Sequence, residues 1–354
     1  MIAEIIMILA AVVLLVSLIV MIPKKDYYTQ ETPQTITISS AGGLQANYDN
    51  YISVEYRKGG SWTPTMETMV FDTGSNALIL PDFSLLDATK YTVIEDNIQE
   101  PWGCPAKILK GPIRLGMTME IPECEFVACT APNASGNRTH ICGASIGQYV
   151  ISSGLYPSSP IVQLCVQLKR PFFEIVINEK STNLNSQINF FTNKPSSYSQ
   201  KNVGGPFPVV PNIPWTAIAI EGIKVDGNST KWQVSSASKH IGLLDTGGGP
   251  VMINDDPQQS LVPVFKKTSD CPGWVSPSLG AQCFSDQITV NISPDFEVKY
   301  PDNGKTTTVL FSHPGTFTSW GEYVVSLNFG GPFFLYACNT LIDTKQFEVY
   351  LQPK

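Results

Sequence analysis

The sequence predicts a mainly β protein built from a duplicated lobe, and three observations carry that expectation. At 354 residues the chain is longer than one hydrophobic core usually serves, so two lobes are the expected organisation. Its 27 Gly and 27 Pro supply turns for many short strands rather than for long helices. One pattern also occurs twice, at residues 70–80 and again at 243–253. With 43% hydrophobic and 15% charged residues the chain has the make-up of a folded protein. A formal net charge of -7 and the lack of a basic run argue against a nucleic-acid partner.

Residues 5–22 read IIMILAAVVLLVSLIVMI, without a charge and with Ser17 as the lone polar side chain. As a helix this run spans most of a bilayer core of about 30 Å. A cleaved signal peptide is the rival reading, with its basic start, shorter apolar run and small residues at the cut. Glu4 at the start and Met21-Ile22-Pro23-Lys24-Lys25 at the end favour a membrane anchor over 1–22. Residues 23–35 then read as a stalk, 36–185 as an N-terminal lobe and 186–354 as a C-terminal lobe.

Lys24 and Lys25 would, by the positive-inside rule, keep the body in the cytosol. The eight cysteines point the other way. An even number beside an export-like segment suits at least two structural disulfides in an oxidising compartment, and Cys271 and Cys283, flanking a Pro/Gly-rich loop, are the expected pair. No spacing makes a zinc site. Sequons at Asn133, Asn137, Asn228 and Asn291 fit a glycosylated surface. The body is therefore expected on the extracytoplasmic side.

Beyond the stalk, residues 51–56 alternate by two, Lys58-Gly59-Gly60-Ser61 offers a hairpin turn, and a further run leads into Met69-Val70-Phe71. Similar runs follow at 173–177, 188–191, 215–225, 288–292, 306–311 and 347–351. Each copy of the repeated pattern is two apolar residues, Asp-Thr-Gly, three turn-like residues and an apolar run. The copies are centred on Asp72-Thr73-Gly74-Ser75 and Asp245-Thr246-Gly247-Gly248. One Asp-Thr-Gly alone is most simply a turn. Two, each after a strand-like pair and one in each half, point to a duplicated lobe with paired carboxylates. Two facing carboxylates cannot both ionise cheaply, so they share a proton and divide the work of acid and base. The aspartic-protease dyad is the standard case of this behaviour.

VFDTGSNALILP and LLDTGGGPVMI are similar to the two active-site signatures of the pepsin family of aspartic peptidases, and the chain resembles that family. The likeness continues in Ile146-Gly147 and Leu155-Tyr156-Pro157-Ser158, in Phe173 to Ile177, in WTAIAIEGIKVDG from Trp215, and in Phe329-Gly330, Ile342-Asp343 and Val349 to Pro353. It runs from about residue 45 to the C-terminus. The resemblance implies a two-lobed pepsin-like acid protease fold, with duplicated β-barrel lobes and a cleft between them. It implies a monomer that takes a peptide or protein substrate in that cleft and needs no cofactor or metal. Asp72 and Asp245 would activate a water, Thr73 and Thr246 would bond across the lobes, and Ser75 would support the outer oxygen of Asp72.

The sequence departs from that family at three points. Gly248 stands where a hydroxyl residue usually supports the second Asp, so a Thr at this position is expected to strengthen Asp245. Ile79 stands where a Trp often braces the flap tyrosine, and no Tyr-Gly flap is present. Trp102-Gly103 is the nearest flap candidate, and Trp102 equally suits a buried structural role. A second function therefore stands beside the endopeptidase: a pepsin-fold protein that holds a peptide or protein without cutting it. Of the histidines, His140, His240 and His313, none falls in a triad or metal motif.

Overall fold

The computed structural model describes residues 31–40, 50–65, 69–147, 150–151, 154–178, 184–225, 228–230, 239–248, 251–254, 282–284, 288–300, 309–312, 319–320 and 322–354. All of these but Glu31 belong to one compact unit, Thr32–Lys354. The class is mainly β, and the longest described α-helix, Pro160–Leu168, has nine residues. Its ends follow from local chemistry. The Ser159 hydroxyl accepts the Val162 N–H, Pro160 enters at the first turn, and Lys169 closes the helix in the left-handed region. No described helix is long and apolar enough to cross a membrane; residues 5–22 and most of the stalk lie outside the described residues.

Hairpin geometry is set by turn residues. Lys58 pairs with Ser61, and the two glycines between them have φ of 56° and 84°. Two successive positive φ values are what a tight two-residue hairpin needs and what glycine supplies at no steric cost. Fifteen strands form one continuous sheet. Six of its strands run in the order Gly204–Pro208, Glu348–Pro353, Cys338–Asp343, Phe172–Val176, Ser186–Phe191 and Gln34–Ser40, each antiparallel to the next. The beginning, middle and end of the chain thus meet in one layer, and Ser186–Phe191 pairs on both sides with strands from before residue 185.

Both Asp-Thr-Gly segments leave their strands in the same setting. Met69–Asp72 lies parallel to Ile141–Gly143, which runs antiparallel to Leu78–Leu80, itself parallel to Met119–Cys129. Lys239–Leu243 lies parallel to Tyr323–Asn328, which runs antiparallel to Val251–Asn254, itself parallel to Val309–Ser312. Ile141 faces Ile79 in the first set as Asn328 faces Met252 in the second. One buried apolar cluster extends from Ile36, Phe71 and Leu78 through Leu244 and Val251 to Phe329, Phe333 and Val349. Phe329 and Phe333 stack with ring centres 4.6 Å apart. A strand set close to so large a core holds its terminal loop rigidly, because close-packed interiors deform little.

Candidate active site

Asp72 ends its strand, and its carbonyl oxygen accepts the Ala144 N–H at 2.7 Å from the adjoining segment. The turn that follows folds back on the carboxylate. Gly74 N–H donates to Oδ1 at 2.7 Å and the Ser75 hydroxyl donates to Oδ2. The second copy does the same with different donors. Gly247 and Gly248 N–H groups donate to Asp245 Oδ1 at 3.0 and 2.7 Å, and Asn328 Nδ2 donates to Oδ2 at 2.6 Å.

The two turns interlock through their threonines. Thr73 N–H donates to Thr246 Oγ1 at 3.0 Å, and Thr246 N–H donates to Thr73 Oγ1 at 2.9 Å. Each hydroxyl then donates onward, Thr73 to the Leu244 carbonyl at 2.6 Å and Thr246 to the Phe71 carbonyl at 2.9 Å. Both threonines are fully buried, so losing any of these four bonds would leave a desolvated group unpaired.

Asp72 and Asp245 meet in a side-chain hydrogen bond, 173 residues apart in sequence. The glycines make this approach possible. A Cβ on Gly74 would stand 2.8 Å from Asp245 Cγ, and one on Gly247 would stand 2.7 Å from Asp72 Cγ. Asp72 is 8% exposed. Burial first, then the Asp245 charge and hydrogen bond, hold its carboxyl well above the usual carboxylate range; the Ser75 and Gly74 donors pull the other way. Burial and the facing carboxyl thus favour the protonated form of Asp72, while Asp245 is surrounded by the Gly247, Gly248 and Asn328 donors.

No family model and no curated protein matches the chain.

Outside the carboxylates a further layer ties the turns down. Thr216 Oγ1 accepts the Ile146 N–H at 3.1 Å, and the Thr216 carbonyl accepts the Leu244 N–H at 2.9 Å. The Ser145 hydroxyl donates to the Pro214 carbonyl at 3.1 Å. Thr216 and Ser145 are buried. The sequence did not mark either as a site residue, because each is a common residue with a partner about seventy positions away.

Trp102 and Gly103 form the turn between the hairpin strands Thr92–Gln99 and Pro105–Leu115. Trp102 is 45% exposed, which corrects the buried structural role. Gly103 has φ of 93°, a conformation glycine adopts readily. The turn is organised by buried Glu100, whose carboxylate accepts the Trp102 and Cys104 N–H groups, each at 2.8 Å, and the Thr139 hydroxyl at 2.9 Å. Glu100, Cys104 and Cys129 also bring three potential metal-ligand atoms within 4.8 Å of one another. Both Glu100 oxygens already accept hydrogen bonds, and burial with the neighbouring Cys104 pushes the Cys129 thiol up to about 12. The group is thus a turn anchor, with the Cys129 thiol disfavoured as a thiolate.

The expectation of several disulfides is not met among the described residues. Cys104, Cys124, Cys129, Cys142, Cys165 and Cys338 are all free and buried. They pack as small apolar side chains, a common role for a buried thiol. The Cys271–Cys283 pairing falls outside the described residues, since Cys271 does. The value expected of a hydroxyl at position 248 is also corrected. A Cβ there would lie 2.8 Å from Asp245 Oδ2 and 3.1 Å from Asn328 Oδ1, in space already used by the Asn328 bond.

Proposed function

We propose that this chain is an aspartic endopeptidase of two-lobed, pepsin-like architecture, hydrolysing a peptide or protein held between its lobes. The observation that carries the reading is the pair of Asp-Thr-Gly turns, face to face, with Asp72 and Asp245 hydrogen-bonded to each other. The repeated strand setting of the two turns supports duplicated lobes. The threonine exchange supports the rigidity that such chemistry needs.

A water between the carboxylates is the nucleophile. With Asp72 as the protonated member, Asp245 takes a proton from the water as the water oxygen bonds to the peptide carbonyl carbon. Asp72 gives its proton to the carbonyl oxygen, so a neutral tetrahedral diol forms and the proton count of the pair is unchanged. Collapse reverses the roles. One hydroxyl of the diol returns its proton to Asp72, the C–N bond breaks, and the nitrogen takes the proton from Asp245. Acid and base are distinct from the start because Asp72 is the buried, proton-holding member.

A non-cutting peptide receptor is the second reading, and the hairpin turn favours it. Trp102, the nearest flap candidate in the sequence, stands in that turn and supplies an exposed aromatic surface suited to holding a peptide. The N-terminal apolar run would serve either protein as a membrane anchor, with the body on the extracytoplasmic side. Incubation with a mixed peptide library from acidic to neutral pH, with and without a statine-type inhibitor, separates the two. Inhibitor-sensitive cleavage is expected at acidic pH. Inhibitor binding without cleavage at any pH would favour the receptor.

A further inference from the structure

Asp72 and Asp245 are each braced at the outer oxygen, yet the two braces come from different places in the fold. On Asp72 the donor is Ser75, in the turn itself. The matching turn position in the second copy is Gly248, which has no side chain to donate. The donor there is Asn328, at the end of the Tyr323–Asn328 strand, 83 residues from Asp245. The strand registers identify the counterpart of Asn328 in the first copy. Asn328 faces Met252 and lies beside Leu243, as Ile141 faces Ile79 and lies beside Val70. The first copy therefore has Ser in the turn and Ile on the strand, while the second has Gly in the turn and Asn on the strand.

The amide is oriented from behind. Asn328 Oδ1 accepts the Gly330 N–H at 2.9 Å, which turns Nδ2 towards Asp245. The Gly330–Gly331 segment is in turn held to the active-site turn, because the Gly331 N–H donates to the Gly248 carbonyl at 2.9 Å. Asn328 is 6% exposed, so its donor has little competition from water. The space beside Gly248 is also tight. Any side chain at 248 begins 2.8 Å from Asp245 Oδ2 and 3.1 Å from Asn328 Oδ1, so a turn hydroxyl would crowd both the carboxylate and the strand amide.

We propose that Asn328 is the positioning residue for Asp245, holding its outer oxygen from the neighbouring strand in place of the turn hydroxyl that Gly248 removes. This deepens the aspartic-peptidase reading and rests on the dyad that underlies it. A donor aimed at the ionised carboxylate favours the charged form of the pair, so removing it moves the dyad's first deprotonation to higher pH. Among the described residues, the titratable groups that act on the dyad are the two carboxyls themselves and the buried Cys142 thiol beside Asp72. Cys142 is pushed up by burial and stays neutral across the acidic range.

The test follows the Asp carboxyl carbons by NMR in selectively labelled protein, which reads the dyad whether or not a peptide is cut. Wild type is compared with N328A, with N328L (which keeps most of the volume), and with the double variant N328A/G248S. In N328A and N328L the first titration of the pair is expected to rise by roughly one pH unit, the size of one charge-assisted hydrogen bond. In N328A/G248S the crowding against Asn328 is gone, and a small rotation of the Asp245 carboxylate away from the new Cβ lets the turn hydroxyl donate to it, so the titration is expected to move back towards wild type. If both single variants fold and titrate as wild type does, the proposal is wrong. A wild type that cleaves nothing, but whose dyad titration shifts in N328A, removes the peptidase reading and leaves the positioning role standing.

Discussion

Asp72 is a buried carboxyl facing a second one, and that setting reaches stability as well as chemistry. Its folded carboxyl sits well above the ordinary value of 3.8, because of burial and the neighbouring Asp245. Above about pH 4 the unfolded chain has therefore lost a proton that the folded chain retains. Folding stability falls as pH rises through that window, until the folded carboxyl ionises as well. Asp72→Asn removes the ionisable group, so its melting temperature relative to wild type should climb as pH rises from about 4. A constant difference across that window would contradict the assignment of the proton to Asp72. Gly248→Thr belongs to the same scale. Its side chain must displace Asn328 or Asp245, so kcat/KM should fall at every pH, and a gain at low pH would contradict the packing described around Asp245.

At the scale of elements, the hairpin turn rests on Glu100. Glu100→Ala leaves two backbone N–H groups and the Thr139 hydroxyl without their acceptor. A cost of about 1–3 kcal/mol is expected, with faster amide exchange at Trp102 and Cys104. Glu100→Gln, which keeps one acceptor oxygen, should recover part of it. This hairpin was hard to read from sequence, because Thr92–Gln99 is exposed at most positions and lacks the alternation that marks a half-buried strand. The runs at 51–56, 173–177 and 188–191 were legible for the opposite reason, since most of their buried positions carry Val, Ile, Phe or Tyr. The Asp-Thr-Gly turns were legible because each is contiguous and repeated. Asn328, Thr216 and Ser145 were not, because strand pairing and loop contacts bring them to the site from distant positions. Cysteine number misled in the described part of the chain, since parity says nothing about whether thiols face one another or pack into an apolar core.

Across the whole molecule, the buried threonine exchange is what makes one site out of two distant turns. Thr73→Val leaves the Thr246 N–H and the Leu244 carbonyl unpaired, and Thr246→Val leaves the Thr73 N–H and the Phe71 carbonyl unpaired. Each variant should lose about 1–3 kcal/mol for every group left buried and unpaired. The double variant should lose less than the sum, because the two residues share one network. A continuous apolar core joins the strands behind both turns, so unfolding should remain a single transition in each variant. The central claim is that Asp72 and Asp245 work as one proton-sharing pair, and cleavage of a common peptide library by wild type, Asp72→Asn and Asp245→Asn at acidic pH tests it most directly. The expected result is inhibitor-sensitive cleavage by wild type and a fall of about 10²–10⁴-fold or more in either folded variant. Cleavage that persists at the wild-type rate in either variant would contradict it.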